Sequence, residues 1–162
     1  MFRNILVAVD GSRHAERALA EAIDIAASGN GRLTILTSIP RPPSWANTPA
    51  TVAACQPLAT ELERESTDII RNAIDHVPDS VPVTKILTHE PIRTALMSRI
   101  KSADHDLLVM GSRGRGAVSA SLLGSVSHYA LHHSPIPVLV VHVEGDDEEG
   151  GSEEQDDVAL AS

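Results

Sequence analysis

Five short apolar runs alternate with four stretches of helical spacing in this chain, and that alternation leaves room for essentially one architecture. Asn4 to Val9 (NILVAV) is a continuous apolar strand, the pattern of a parallel sheet covered on both faces. Arg13 to Ser28 places Ala15, Ala18, Leu19, Ala22, Ile23 and Ala26 on one helical stripe, and Gly29-Asn30-Gly31 ends it. Arg32 to Ser38 is a second strand. Pro57 to Val77 returns to helical spacing through Leu58, Leu62, Ile69, Ala73 and Val77. Val81 to Leu87 is a third strand, and Pro91 to Ala103 is a helix with Pro91 in its first turn. Leu107 to Gly111, Ser125 to His133 and Pro137 to His142 complete the series. Strict alternation of this kind implies right-handed crossovers and an open, doubly wound parallel sheet.

The chain has 162 residues, 42% of them hydrophobic, which is enough for one domain with a single core. Its net charge of −9 is unevenly placed: nine of the 22 acidic residues follow residue 143, and the rest balance the 13 Lys and Arg. We therefore read residues 1–143 as the folded domain and 144–162 as an acidic, disordered, solubilising tail. A basic face with stacking aromatics is missing, since the chain has one Trp, one Tyr and one Phe, and this argues against nucleic acid as a partner. No apolar run reaches transmembrane length and no signal peptide is recognisable, so a cytoplasmic location is expected, without a membrane. The single cysteine, Cys55, has no partner for a disulfide and no ligand set around it, and is read as a small apolar residue.

The chemistry concentrates in Met110 to Val141 (MGSRGRGAVSASLLGSVSHYALHHSPIPVLVV). Gly111 ends an apolar strand, Gly114 follows after two residues, and Gly124 after nine more, directly before Ser125. Glycine permits close backbone approach, and a helix starting at Gly124-Ser125 offers unpaired N–H groups and a positive dipole end to an anion. In a doubly wound sheet, ligands bind outside the carboxyl ends of strands where the winding reverses. Asp10-Gly11-Ser12 ends the first strand and Gly111 to Gly114 ends the fourth. If those strands are neighbours, both loops face one crevice. The P-loop is excluded because no glycine precedes a lysine; the dinucleotide fingerprint is missing after the first strand, and no G-x-S-x-G elbow occurs.

With these residues in hand, the chain resembles the universal stress protein family in its nucleotide-binding branch. The family pattern G-x2-G-x9-G-[ST] is met by Gly111, Gly114, Gly124 and Ser125, and NILVAVDGS matches its first strand and turn. The resemblance covers about residues 1–143 and implies a Rossmann-like, adenine-nucleotide alpha-hydrolase-like fold with strand order 3-2-1-4-5. It further implies ATP with Mg²⁺ or Mn²⁺ bridging the phosphates. Asp10 would lie near the adenosine, and backbone near Ser38 at the adenine edge. Met110, Gly111 and Gly114 would border ribose and phosphates, and Gly124, Ser125, Val126 and Ser127 would hold the phosphates. A homodimer through Pro137 to Val143 is implied as well. The chain departs from the family pattern at Leu87-Thr88-His89-Glu90-Pro91, where a glycine is common, and at Thr37-Ser38-Ile39-Pro40, where an apolar pair is usual.

Blander readings accompany each residue. Ser12 serves as a helix cap, and Asp10 can support the same turn. Arg113 and Arg115 are read as solvated loop arginines ahead of direct phosphate ligands. His128 and His132 share a helix face, yet without a third ligand or an H-E-x-x-H pattern they are read as surface or core histidines, with no metal. The Pro-rich segment with Trp45 is either a lid or a partner surface. The functional expectation is an ATP-binding regulatory module in a stress response, with no catalytic residue and slow hydrolysis at most. The alternatives are a weak ATPase or self-phosphorylating switch, and a nucleotide-free dimeric interaction module.

Overall fold

A computed structural model describes residues 1–41, 48–115 and 123–143. Trp45 and the acidic tail lie outside the described residues. The elements run β1 (Asn4–Ala8), α1 (Arg13–Gly29), β2 (Arg32–Ser38), α2 (Pro49–Asp75), β3 (Val83–Thr88), α3 (Ile92–Ser102), β4 (Leu107–Gly111), α4 (Ser125–His133) and β5 (Val138–Val141). The five strands form one all-parallel sheet in the order β3-β2-β1-β4-β5. The expected doubly wound α/β fold is therefore the observed one.

Strand alternation divides the core into two layers. Ile5, Val7, Leu33, Ile35, Leu107 and Val109 face α1 and α2, packing on Ala18, Leu19, Ala22, Ile23 and Ile70. Leu6, Leu36, Leu108 and Met110 face α3 and α4, against Ala95, Leu96, Ile100 and Ala130. At the amino end of the sheet, the Asp106 carboxylate accepts the N–H groups of Arg3 and Asn4 at 2.8 and 2.9 Å. That contact fixes β4 beside β1 and leaves their carboxyl ends to open into loops.

The helices begin in two different ways. Ser12 caps α1 by accepting from the Ala15 N–H, and Thr48 caps α2 in a reciprocal box with Thr51. The first turns of α3, after Pro91, and α4, after Gly124, have no side-chain cap. Helix α2 corrects the reading of the sequence, which started it at Pro57. It starts at Pro49, directly after the Thr48 cap, and Pro57 lies inside it. A proline there removes one backbone hydrogen bond, and the capping box and Pro49 in the first turn override that local break signal. The irregular segment is correspondingly shorter than the sequence suggested. Val81 is buried but precedes β3, its N–H bonded to Pro78 in a turn.

Candidate functional site

A cleft of about 1320 Å³ opens at the carboxyl ends of β1, β2 and β4, where the winding direction reverses. All nine residues singled out in the sequence line it: Asp10, Ser38, Met110, Gly111, Gly114, Gly124, Ser125, Val126 and Ser127. The pairing of β1 with β4 is what joins segments a hundred positions apart.

Asp10 organises one wall. Its Oδ1 accepts from the Ser12 N–H at 3.0 Å and the Ser12 hydroxyl at 2.6 Å, while its Oδ2 accepts from the Arg115 N–H at 3.0 Å. Each carboxylate oxygen can accept more than one bond, so the group retains acceptor capacity toward the cleft. Gly11 supports this turn with φ +79°, a conformation that side chains rarely adopt.

The three motif glycines have requirements the spacing alone did not disclose. A Cβ on Gly111 would meet His14 Cβ at 2.7 Å and the His14 carbonyl carbon at 2.8 Å. Gly111 thus lets β4 pack against the first turn of α1. A Cβ on Gly114 would meet Asp10 Oδ2 at 2.6 Å, and one on Gly124 would meet the Ser112 carbonyl oxygen at 3.3 Å. Each missing side chain points at protein, and the loop draws tight around the cleft because all three are absent.

Ser112, which the sequence reading passed over, holds this loop together. Its N–H donates to Val141 at 2.7 Å, and its carbonyl accepts from the Gly124 N–H at 2.7 Å and the Ser127 hydroxyl at 2.8 Å. Its hydroxyl meets His142 Nδ1 at 2.9 Å. No spacing rule marks such a residue, because its partners come from α4 and the end of β5. Ser127 is 2% exposed, and its hydroxyl also reaches the Gly124 carbonyl at 2.9 Å. The hydroxyl is therefore used within the protein.

At the other end, the Ser38 hydroxyl donates to the Glu90 carbonyl at 2.7 Å and Arg41 Nε to the His89 carbonyl at 2.7 Å. The turn before α3, where the family glycine is missing, is thereby fastened to the end of β2.

Among the described lining residues are four arginines, Arg41, Arg93, Arg113 and Arg115, and one carboxylate, Asp10. The cleft is cationic in a chain of net charge −9. Arg113 is 8% exposed, so it is not the solvated loop residue expected. Arg115 pairs with Glu65 of α2. Its hydrogen bond and charge hold the Glu65 carboxyl below the usual range, and Glu65 raises Arg115 in return. His128 and His132 also line the cleft, their ring centres 4.6 Å apart. No third His, Cys, Asp or Glu joins them in a metal-holding group among the described residues.

The fold and cleft together define a class: an open parallel α/β protein with an arginine-lined crevice at its switch point. The sequence matches the Universal stress protein family over residues 1–142. It is 36% identical over 142 residues to a universal stress protein of Thermus aquaticus, covering 87% of this chain and 99% of that one. The fold superposes on the universal stress protein UspA from Lactobacillus plantarum with a TM-score of 0.78, at 24% identity, covering 86% of this chain and 97% of the other. A universal stress protein solved in complex with cAMP shares 27% identity at a TM-score of 0.55, over 87% of this chain and 97% of that one. The chain belongs to the universal stress protein family.

Among the described residues, no helix is long and apolar enough to cross a membrane.

Proposed function

We propose that the protein is a cytoplasmic, ATP-binding regulatory module of a stress response, in which nucleotide occupancy is the signal. The observation that carries this reading is the convergence of the glycine loop, the uncapped start of α4 and four arginines on one cleft. The leading N–H groups of α4, at Ser125, Val126 and Ser127, supply donors and a positive dipole end to phosphates. Asp10 and the backbone near Ser38 take the adenosine end, with Met110, Gly111 and Gly114 between. The relative solved with cAMP supports an adenine nucleotide as the ligand class.

The donor set suits a phosphate-borne cation. Asp10 is the one carboxylate among the described lining residues, and its oxygens already accept three protein bonds. A Mg²⁺ or Mn²⁺ ion would rest on phosphate oxygens and water, as Mg²⁺ commonly does. The same scarcity of acids favours holding ATP over cleaving it, because hydrolysis needs a positioned base and a metal cage.

A homodimer through β5 belongs to the same reading. This strand lies at the sheet edge, and its four apolar residues, Val138 to Val141, are only half-buried. An apolar edge with unpaired backbone groups is a ready template for a second copy.

Calorimetric titration of the full chain with ATP and Mg²⁺ tests the central claim, and Gly124→Val is the matched control. Valine there presses on the Ser112 carbonyl and the Arg113 backbone, shifting the helix start away from the loop. Saturable binding that the variant loses is expected. Absence of saturable binding at ATP concentrations on the order of millimolar sinks the reading.

A further inference from the structure

The geometry points to Arg93 as the residue that reads the terminal phosphate, making the cleft selective for a nucleoside triphosphate over mono- and cyclic nucleotides. This rests on the nucleotide reading above and adds the length of the phosphate chain to it.

Arg93 lies in the first turn of α3 and lines the cleft across from α4. One of its Nη atoms donates to the Ser125 carbonyl at 3.2 Å, and its guanidinium carbon lies 5.2 Å from the centre of the Tyr129 ring. A planar guanidinium resting on an aromatic ring is pre-oriented, and little of its freedom remains to be lost on binding. Arginine carries five N–H donors, and the Ser125 contact uses one.

The other cleft arginines are differently engaged. Arg115 is paired with Glu65, Arg41 is fastened to the His89 carbonyl, and Arg113 is buried in the loop. Among the described residues, no carboxylate lies within ion-pair distance of Arg93. It is exposed, and among the cleft arginines it is the one set against α4.

Position gives the specificity. Ser125 and Tyr129 are four residues apart on α4, so the guanidinium lies alongside the first helical turn, about 5.4 Å long. The guanidinium thus stands beside the leading N–H groups of α4, and each phosphate added to a chain held there brings more negative charge within its reach. A triphosphate therefore gains more from Arg93 than a single or cyclic phosphate. Arginine then meets the terminal group through charge-assisted, bidentate bonds, which are among the strongest available to a side chain.

The test is titration of ATP, ADP and AMP, at fixed Mg²⁺ and ionic strength, into the wild-type chain, Arg93→Ala and Arg93→Lys. The wild type is expected to prefer ATP to AMP by about tenfold or more, which is about 1.4 kcal/mol. Arg93→Ala should lower ATP affinity about tenfold and AMP affinity less than twofold, with Arg93→Lys in between. A purely structural role would move both nucleotides together, so an unchanged ATP-to-AMP ratio in Arg93→Ala overturns the inference. Equal wild-type affinity for ATP and AMP overturns it too, while leaving the nucleotide reading intact. A wild-type chain that binds none of the three overturns both.

Discussion

The Oδ2 atom of Asp10 accepts the backbone N–H of Arg115 at 3.0 Å, joining residues 105 positions apart. This single bond ties the end of β1 to the glycine loop that follows β4. The contact exists because residue 114 lacks a side chain, a Cβ there falling 2.6 Å from the same oxygen.

Gly114→Ala should therefore act through Asp10. The methyl group displaces the carboxylate, destabilising the fold by about 1–3 kcal/mol, in the range of overpacking. ATP affinity should fall about tenfold with it. Calorimetry and thermal melts on the same preparation decide the matter. Unchanged affinity would mean that this bond is no part of the binding site.

Ser127→Ala separates two roles of one residue. The hydroxyl bonds the Ser112 and Gly124 carbonyls, so its loss should cost about 1 kcal/mol of stability. Ser112 keeps the Gly124 N–H, and the start of α4 should survive. ATP affinity should stay within about twofold, well under the tenfold that 1.4 kcal/mol represents. A large affinity loss without loss of stability would put the hydroxyl on the ligand instead.

The Arg115–Glu65 pair links the glycine loop to α2 and brings a pH dependence of defined sign. Glu65 titrates lower in the folded chain because Arg115 hydrogen-bonds it and faces it with positive charge. Its contribution is thus present above the unfolded carboxylate value of about 4.3 and is lost as pH falls through the lowered folded value. Both side chains are more than a third exposed, so the effect is small and screened by salt. The melting temperature of the wild type should exceed that of Glu65→Gln slightly at neutral pH, and the gap should close in acid. A gap that does not change with pH would show that the pair contributes nothing.

Val140→Pro probes the sheet edge. The carbonyls of Pro137 and Val141 bond Leu108 and Ser112 of the β4 side, so the alternation of a parallel ladder turns the Val140 N–H outward. Proline removes that outward donor and spares the bonds to β4. We expect a monomer by light scattering, with the fold retained. A dimer that persists would place the interface elsewhere.

The alternation of strands and helices and the glycine loop were legible because they depend on local signals: apolar runs, helical stripes and glycines at strand ends. The strand order and most of the cleft lining came from the resemblance to the family. The start of α2 was not legible. Pro57 carries the stronger local break signal, and the capping box at Thr48 and Thr51 reads as one more polar stretch. A second role of Gly111, its packing against α1, stayed hidden for a different reason. A glycine at a strand end suits a ligand's approach as well as a helix's, and His14, which meets it in the fold, comes from another element. Arg93 and Ser112 left no mark at all. Their partners are supplied by tertiary packing of α3 on α4 and of the loop on β5, which no periodicity encodes.

The contrast between capped and uncapped helices divides the molecule into a half that is complete and a half that is not. Ser12 and Thr48 satisfy the starts of α1 and α2 from within the chain. The starts of α3 and α4, both on the cleft, have no such provision from a side chain. An anion bound between them would act as their shared cap, and local opening there would become rarer than elsewhere. Nucleotide occupancy should then be written into the amide exchange rates of α3 and α4, while α1 and α2 hardly change. A partner protein could sense the bound state as stiffness on one face of the sheet, with no change of shape.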